Sequence, residues 1–500
     1  MSNTLKIKIE KNEKQLIIFI LFSALIFYSS FIIRSSFYVN NIRFFTLIED
    51  AMISMRYAKH LANGFGLVWN IGEQPIQGFT NLGWTVYMAA LHKLPVPESK
   101  ISLLVMITGG FILIGVACSS YILCKKIDPN SVAAPMIVLL VTGFYYPLVF
   151  WSLRGMEVGL LTLLILVLAN LVIRPSKPLG FNKSWFIGII IFVTILVRFD
   201  SIFQVFLIVL FVFYGTFDWI KGNLFPKSLI LIFFILSILS VLLFQLTYFG
   251  SLLPNTYYLK VEGVSLAQRV NVGFQAFVEY ASRDIFTLFF IALAGLIFFQ
   301  DLRKKETWFL LAMFLVQIAY SIYVGGDYAE PVNGGWYVDG ANRFITQGMP
   351  FLFVVYGVVV ERIIQRILLA TAKQPLVGSR KTMQAAILVG LITLVIISMK
   401  PWFKWSIYNA PGLSSDIRLT KVGLAIRENT DERAIIAVHG AGQIPYYSGR
   451  KTIDLLGKSD PVIAHGTPAR EFFMPGHNKW NYEYSITNFL PDLIADEEVL

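Results

Sequence analysis

Two adjacent carboxylates, Glu49 and Asp50, are the residues of this chain whose types and placement best suit chemistry. They follow the first long apolar segment and lie in what we interpret as a long loop between membrane-spanning segments. A carboxylate can accept the proton of an attacking hydroxyl group, which makes Asp50 a candidate general base. At a membrane surface, the reaction to expect is attack on a substrate that is carried by a lipid.

Other ionisable residues lie at the ends of apolar segments, where a charge near the hydrocarbon region is costly. We place them on the same side of the membrane as the two carboxylates; they are Arg154, Glu157, Arg198, Asp200, Lys260, Asp327 and Arg343. Each of them alone is explained by a local ion pair or by anchoring of a span end. Together they predict a polar cavity that opens outward. Arg198, Lys260 and Arg343 are candidates for binding a phosphate, and the sequence leaves open which of them does so.

The composition indicates a polytopic membrane protein. Of the 500 residues, 56% are hydrophobic, more than in ordinary soluble domains. The net charge of +11 is better explained by Lys and Arg in cytoplasmic loops than by a nucleic-acid partner. Only Cys118 and Cys124 occur, so we expect neither a disulfide framework nor a Cys-based metal site. No cofactor is implied, no cluster of His suggests a metal ion, and metal dependence is left open.

Apolar segments recur along residues 1–400, and the basic loops between them set the orientation. The segments lie near residues 15–33, 101–123, 131–150, 156–173, 184–197, 201–217, 226–249, 285–300, 307–324, 345–365 and 383–399. We therefore predict a polytopic α-helical membrane protein of about 11 spans, with its N-terminus in the cytoplasm and its C-terminus outside. The resemblance described below implies that the membrane is a bacterial inner membrane and that the outer side is the periplasm. This assignment requires residues 79–94 to lie at the membrane surface rather than cross it.

Residues 34–100 form the first periplasmic loop in this interpretation. Residues 48–62 within it have the period of a helix, with an apolar stripe and a polar stripe that contains Asp50 and Tyr57. Gly64 ends the helix. Such a helix is expected to lie in the plane of the membrane interface with its apolar face toward the lipid.

The last hundred residues, 401–500, have the pattern of a small periplasmic α/β domain. A helix is predicted over residues 414–428, and strands are predicted over 434–438 and 451–455. Residues 440–442 form a Gly-Ala-Gly turn after the first strand, which is too short for a dinucleotide-binding fingerprint. Acceptor binding is one role open to this domain, although no specific motif supports it.

The loop that begins at Glu49 resembles the first outer loop of integral-membrane glycosyltransferases of the GT-C class, and among them the AftB family of terminal arabinofuranosyltransferases. The matching segments are Glu49-Asp50-Ala51, Ile53-Ser54, Arg56-Tyr57-Ala58, Gly64-Phe65-Gly66-Leu67-Val68, Asn70, Gly78, Thr80-Asn81 and Trp84. Further similar segments contain Glu157, Arg198, Asp200, Asn255, Tyr258, Lys260, Asp327, Arg343 and His477. The chain departs from the family at Glu49, where the family has Asp, and at Gln77 and Phe79, where it has Glu and Tyr.

The resemblance implies roles for these residues. Asp50 would be the general base, and Glu49 would orient Asp50 or contact sugar hydroxyl groups. Glu157 would support the site from the second outer loop. The set of residues predicted to bind substrate is Arg56, Tyr57, Asn81, Trp84, Glu157, Arg198, Asp200, Asn255, Tyr258, Lys260, Asp327, Arg343 and His477.

The implied activity is transfer of a sugar from a polyprenyl-phosphate donor on the periplasmic side of the membrane. Arabinofuranose is one candidate sugar, and the acceptor is a cell-surface glycan, a lipopolysaccharide or a protein. The alternative from another class is a transporter or flippase of a lipid-linked saccharide, for which charges near the bilayer centre and paired repeats would be expected. A third alternative is a membrane anchor that presents the C-terminal domain as a binding module.

Overall fold

The computed structural model describes residues 3–175, 179–214, 224–283, 285–327, 342–372, 412–470 and 473–495. Up to residue 372 the described chain is almost wholly helical. Its helices are α1 (Asn3–Arg34), α2 (Glu49–Ala62), α3 (Leu82–His92), α4 (Glu98–Ile127), α5 (Ala133–Phe144), α6 (Tyr146–Leu153), α7 (Val158–Val172), α8 (Phe181–Val197), α9 (Ile202–Tyr214), α10 (Leu224–Phe249), α11 (Asn255–Val261), α12 (Leu266–Arg283), α13 (Ile285–Phe298), α14 (Lys305–Val324), α15 (Arg343–Thr346) and α16 (Met349–Ala372). A short antiparallel hairpin of β1 (Phe37–Val39) and β2 (Ile42–Phe44) precedes α2.

Several of these helices have the length and composition of membrane spans. Within the described ranges, α1, α4, α10 and α14 are long and apolar enough to cross, and the bent pairs α5–α6 and α12–α13 raise the number from four to six. The axes of α5 and α6 differ by 45° across Tyr145, where Pro147 removes a backbone N–H at the start of α6. These helices are those of a multi-pass membrane protein. The figure of about 11 spans stays a prediction, and its last segment, 383–399, lies outside the described residues.

Helix α2 carries the two carboxylates in its first turn and is buried on both of its stripes. Met52 and Met55 of the apolar stripe are fully covered, and so are Ser54 and Tyr57 of the polar stripe. The predicted extent of the helix is confirmed, since it ends at Ala62 ahead of Gly64. The expectation that its apolar face lies toward the lipid is wrong, because Met52 and Met55 pack in the core of the protein. The polar stripe is covered as well, since Ser54 contacts Asn81 and Tyr57 contacts Ser459 of the C-terminal part.

The C-terminal residues form a three-layered α/β unit around a parallel sheet. Its helices are α17 (Leu413–Asn429), α18 (Gln443–Ser448), α19 (Pro461–Ala464) and α20 (Tyr482–Thr487), and its strands are β3 (Ile435–Val438), β4 (Lys451–Asp454) and β5 (Leu493–Ile494). The strand order is β4-β3-β5, and both pairings are parallel. The predicted helix and strands coincide with α17, β3 and β4. The loops that follow β3 and β4 leave the same edge of the sheet, as parallel strands require.

Buried polar contacts hold this C-terminal unit against the helical part. Asp416 of α17 and Arg154 after α6 form an ion pair of 2.6 Å, and both side chains are almost fully buried. Arg56 of α2 donates to the backbone oxygens of Pro445 (2.6 Å) and Arg450 (2.9 Å). The loops after β3 and β4 are thereby fixed beside the first turn of α2.

Candidate active site

A cavity of about 300 Å³ lies where the helical part and the C-terminal unit meet. One side of its wall comes from the first turn of α2, residues 78–81 and the start of α9. Further parts of the wall come from α11, the end of α14 and α15, and the C-terminal unit contributes Lys458 and residues 475–477. Of the predicted site residues, those that line the cavity are Asp50, Asn81, Arg198, Asp200, Lys260, Arg343 and His477.

Asp50 lies in the cavity wall between two cations. Its Oδ2 is 2.9 Å from Nη1 of Arg343, and its Oδ1 is 3.0 Å from Nζ of Lys458. Burial raises the pKa of this carboxyl, but the charges of Lys458 and Arg343 outweigh burial and hold it well below its usual range. Asp50 is therefore ionised at neutral pH, and in this arrangement it is a weak base, because a base of very low pKa has little affinity for a proton.

Glu49 points away from the cavity toward the C-terminal unit. Its Oε1 accepts the N–H of Gly442 at 2.6 Å, and its Oε2 accepts the N–H of Gln443 at 3.0 Å. A Cβ at Gly442 would come within 2.1 Å of the Glu49 carbonyl oxygen, so the close approach of the two segments requires glycine there. Burial raises the pKa of Glu49 to about 7 against the opposing effect of the two N–H groups. Glu49 does not line the cavity, and its predicted contact with sugar hydroxyl groups stays a prediction.

A buried network of charges lies beside Asp50. Arg198 forms a double hydrogen bond with Asp200 (2.8 and 2.6 Å) and donates to Glu157 at 2.7 Å. The other oxygen of Glu157 accepts from Asn81 at 2.8 Å. Burial lowers the pKa of Arg198, but Asp200 and Glu157 outweigh it and raise that pKa well above its usual value. Since the guanidinium of Arg198 is already engaged by two carboxylates, Arg198 is less suited than Lys260 to bind a phosphate.

Lys260, Arg343 and His477 complete the polar lining. Among the residues that the structure describes, no carboxylate lies within ion-pair distance of Lys260 Nζ, which is 5.1 Å from the ring of Phe344. Burial, assisted by the charge of Arg343, lowers the pKa of Lys260 to about 8. Burial and the charge of Lys458 lower the pKa of His477 to about 3, so its ring is neutral at pH 7. The cavity is therefore rich in cations around a single ionised carboxylate, Asp50, and the Arg198 network.

Some predicted site residues lie behind the wall rather than in it. Asp327 is fully buried and accepts the backbone N–H of Arg343 at 3.1 Å, with Nε of the same arginine 3.2 Å away. Tyr57 accepts the N–H of Gly78 at 3.1 Å and donates to Ile76, which shapes the lining loop. The others outside the lining are Arg56, Trp84, Glu157, Asn255 and Tyr258.

The contacts of this last group are structural. Trp84 donates to the carbonyl of Gly155 at 2.8 Å, which joins α3 to the turn that leads to Glu157. The backbone N–H of Asn255 donates to the carbonyl of Gln77 at 3.1 Å, and the carbonyl of Tyr258 accepts from Lys479 at 3.2 Å. These residues position the loops around the cavity.

Sequence reasoning missed Lys458, which lies three residues beyond the predicted strand 451–455. Its position after a predicted strand could have identified it, because ligands of open α/β sheets bind at the carboxyl ends of the strands. The described residues contain no group of three His, Cys, Asp or Glu that is arranged to hold a metal ion.

The fold is similar to solved structures of membrane enzymes. The oligosaccharyltransferase AglB from Archaeoglobus fulgidus, in complex with an inhibitory peptide and a dolichol-phosphate, has a TM-score of 0.55 at 11% identity; the match covers 87% of this chain and 64% of that chain. ArnT from Cupriavidus metallidurans bound to undecaprenyl phosphate has a TM-score of 0.52 at 12% identity, with 87% of this chain and 85% of that chain covered. This chain thus matches less than two thirds of the length of the archaeal enzyme.

These similarities show that the chain shares the fold of these two proteins. Residues 408–498 match a family described as a domain of unknown function (DUF8728). No curated protein matches the chain by sequence.

Proposed function

We propose that this protein is a membrane glycosyltransferase that transfers a sugar from a polyprenyl-phosphate donor to an acceptor at the outer surface of a bacterial inner membrane. The observation that carries the proposal is the position of Asp50 in the wall of a cavity that also presents Lys458, Arg343 and Lys260. A carboxylate among cations suits a reaction in which an acceptor loses a proton and a phosphate leaves. The GT-C neighbours support it, since their structures contain a dolichol-phosphate and undecaprenyl phosphate.

In the proposed reaction, the acceptor hydroxyl oxygen attacks the anomeric carbon of the donor sugar. The bond between that carbon and the phosphate oxygen breaks, and polyprenyl phosphate leaves with the electron pair. The proton of the hydroxyl group passes to Asp50. Arg343 and Lys260 stabilise the phosphate charge, and the enclosed cavity holds donor and acceptor in a reactive orientation.

The proposed donor sugar is arabinofuranose or a related pentofuranose, which rests on the resemblance of the 49–84 segment to the AftB family. The acceptor is a glycan, a lipopolysaccharide or a protein of the cell envelope. Glu157, Arg198 and Asp200 position the Asp50 side of the cavity, and Asn81 and His477 are proposed to contact the sugar or the acceptor.

The test is transfer by purified protein from a panel of polyprenyl-phospho-sugars, with Asp50→Asn assayed in parallel. Removal of a general base lowers the rate by roughly 10²- to 10⁴-fold. Asp431→Asn is the matched control, because Asp431 is exposed on the C-terminal unit and does not line the cavity. Release of polyprenyl phosphate by the wild type and the control, with the loss confined to Asp50→Asn, supports the proposal.

Two outcomes would count against it. Near-normal turnover by Asp50→Asn would remove Asp50 from the mechanism. No release from any donor by a folded wild-type sample, with candidate acceptors present, would overturn the assignment as a glycosyltransferase and favour lipid transport.

A further inference from the structure

We propose that Lys458 exchanges its partner during the reaction: it neutralises Asp50 when the site is empty and binds the phosphate of the donor when the donor enters. The C-terminal unit, which matches a domain of unknown function, would then contribute a substrate-binding residue to the active site. This inference rests on the proposed function and adds the step that frees Asp50 to act as a base.

The loop that carries Lys458 is held in a fixed shape. It leaves the carboxyl end of β4, and Asp454 at the end of that strand accepts the N–H groups of Leu456 (3.0 Å) and Ser459 (2.7 Å). Gly457 has a positive φ of 75°, a conformation that favours glycine and turns the chain toward the cavity. The backbone of Lys458 is therefore set, and only its side chain is free to change partners.

The C-terminal unit is in turn anchored where this loop meets α2. Both oxygens of Glu49, the neighbour of Asp50, accept N–H groups from the loop after β3. Arg56, about two turns further along α2, donates to the carbonyl groups of Pro445 in α18 and of Arg450, which directly precedes β4. The loop that carries Lys458 is thus held against α2 by these hydrogen bonds, which places the Lys458 side chain beside Asp50.

The two cations on Asp50 differ in their freedom to move. Arg343 is tied to Asp327 through its backbone N–H (3.1 Å) and has its Nε 3.2 Å from the same carboxylate. Lys458 has one carboxylate partner among the described residues, Asp50, at 3.0 Å. A lysine ammonium on a flexible stem rotates between acceptors more readily than a guanidinium held at two edges.

A donor phosphate that enters the cavity would compete with Asp50 for Lys458. Phosphate oxygens are strong acceptors of charge-assisted hydrogen bonds. Once Lys458 turns to the phosphate, Asp50 keeps Arg343 alone, and its affinity for a proton rises because one of two opposing charges has left. The donor would in this way switch on the base that its own reaction needs.

The experiment measures binding of polyprenyl phosphate, without a sugar, to the purified full-length protein and its variants. Lys458→Met is expected to weaken binding by about 10- to 100-fold, the loss of one charge-assisted hydrogen bond. Asp50→Asn is expected to tighten binding several-fold, because Lys458 is then released from its competitor. That gain should disappear in the double variant, and Lys458→Arg should retain most of the affinity.

Lys451→Met serves as the matched control, since Lys451 is an exposed lysine at the start of the same strand. Equal binding by the wild type and Lys458→Met, or weaker binding by Asp50→Asn, would overturn the exchange. If Lys458→Met does not fold, Asp50→Asn and Lys458→Arg still decide the question. Binding that follows the expected pattern without sugar transfer would refute the proposed function alone, and transfer with unchanged binding by Lys458→Met would refute this inference alone.

Discussion

Arg56→Met separates two explanations of an arginine that the family resemblance assigns to substrate binding. The structure places Arg56 as a clamp, with hydrogen bonds to Trp69, Asn70, Pro445 and Arg450 between 2.6 and 2.9 Å. Its side chain is almost fully buried and does not line the cavity. We expect the variant to loosen the C-terminal unit rather than to change substrate contacts directly.

The size of the effect follows from the acceptors left behind. Two of the four bonds go to carbonyl groups of the C-terminal unit, and each buried acceptor without its donor costs about 1–3 kcal/mol. The docked state should therefore lose roughly 2–6 kcal/mol of stability relative to the locally opened state. The equilibrium constant for local opening then rises by about 30-fold to 10⁴-fold.

Hydrogen exchange followed by mass spectrometry measures this opening directly. Amides of residues 443–459 should lose protection in Arg56→Met, whereas those of α4 and α7 should not. Arg433→Met is the control, because Arg433 is exposed on the same unit. Wild-type protection of residues 443–459 together with a raised KM for the donor would refute the clamp and restore the substrate-binding role.

Two further predictions concern single charges. Asp416→Asn breaks a buried ion pair with Arg154 of 2.6 Å, so the protein should lose about 3–5 kcal/mol of stability, measured as a lower Tm in detergent; an unchanged Tm would show that the pair is not needed. The pKa of Lys260 is about 8, and its protonated form is the one that attracts phosphate. Affinity for polyprenyl phosphate should therefore fall as the pH rises through 8. In Lys260→Met the affinity should stay close to the low value that the wild type reaches at high pH, with little dependence on pH. An equally steep pH dependence in the variant would assign the titration to another group.

The sequence predicted the extent of the helices better than it predicted which of their faces are buried. The extent of α2 follows from local periodicity. The adjacent carboxylates pointed to Asp50, and the ionisable residues near span ends pointed to Lys260 and Arg343; the structure brings all three to one cavity. Periodicity also showed a polar stripe on α2 that contains Tyr57, but a stripe facing water and a stripe facing a polar protein surface look the same in a sequence.

Contacts between segments that are distant in the chain could not be predicted, because local sequence carries no signal for them. Glu49 and Gly442 are 393 residues apart, and Asp50 and Lys458 are 408 residues apart. Nothing local marks Glu49 as a ligand of backbone N–H groups or Lys458 as a partner of Asp50. The resemblance supplied the identity of the site residues, whereas the division between lining and support depends on packing that only the fold defines.

The separation of Asp50 from Lys458 also has a consequence for synthesis of the protein. At about 5–20 residues per second, a ribosome needs roughly 20–80 s to make the 408 residues between them. During that interval the helices can enter the membrane while the carboxylate still lacks the lysine. The cavity wall is accordingly incomplete in a nascent chain, because Lys458 and residues 475–477 belong to the last part of the chain to be made. Removal of the C-terminal unit by proteolysis would leave the same incomplete wall.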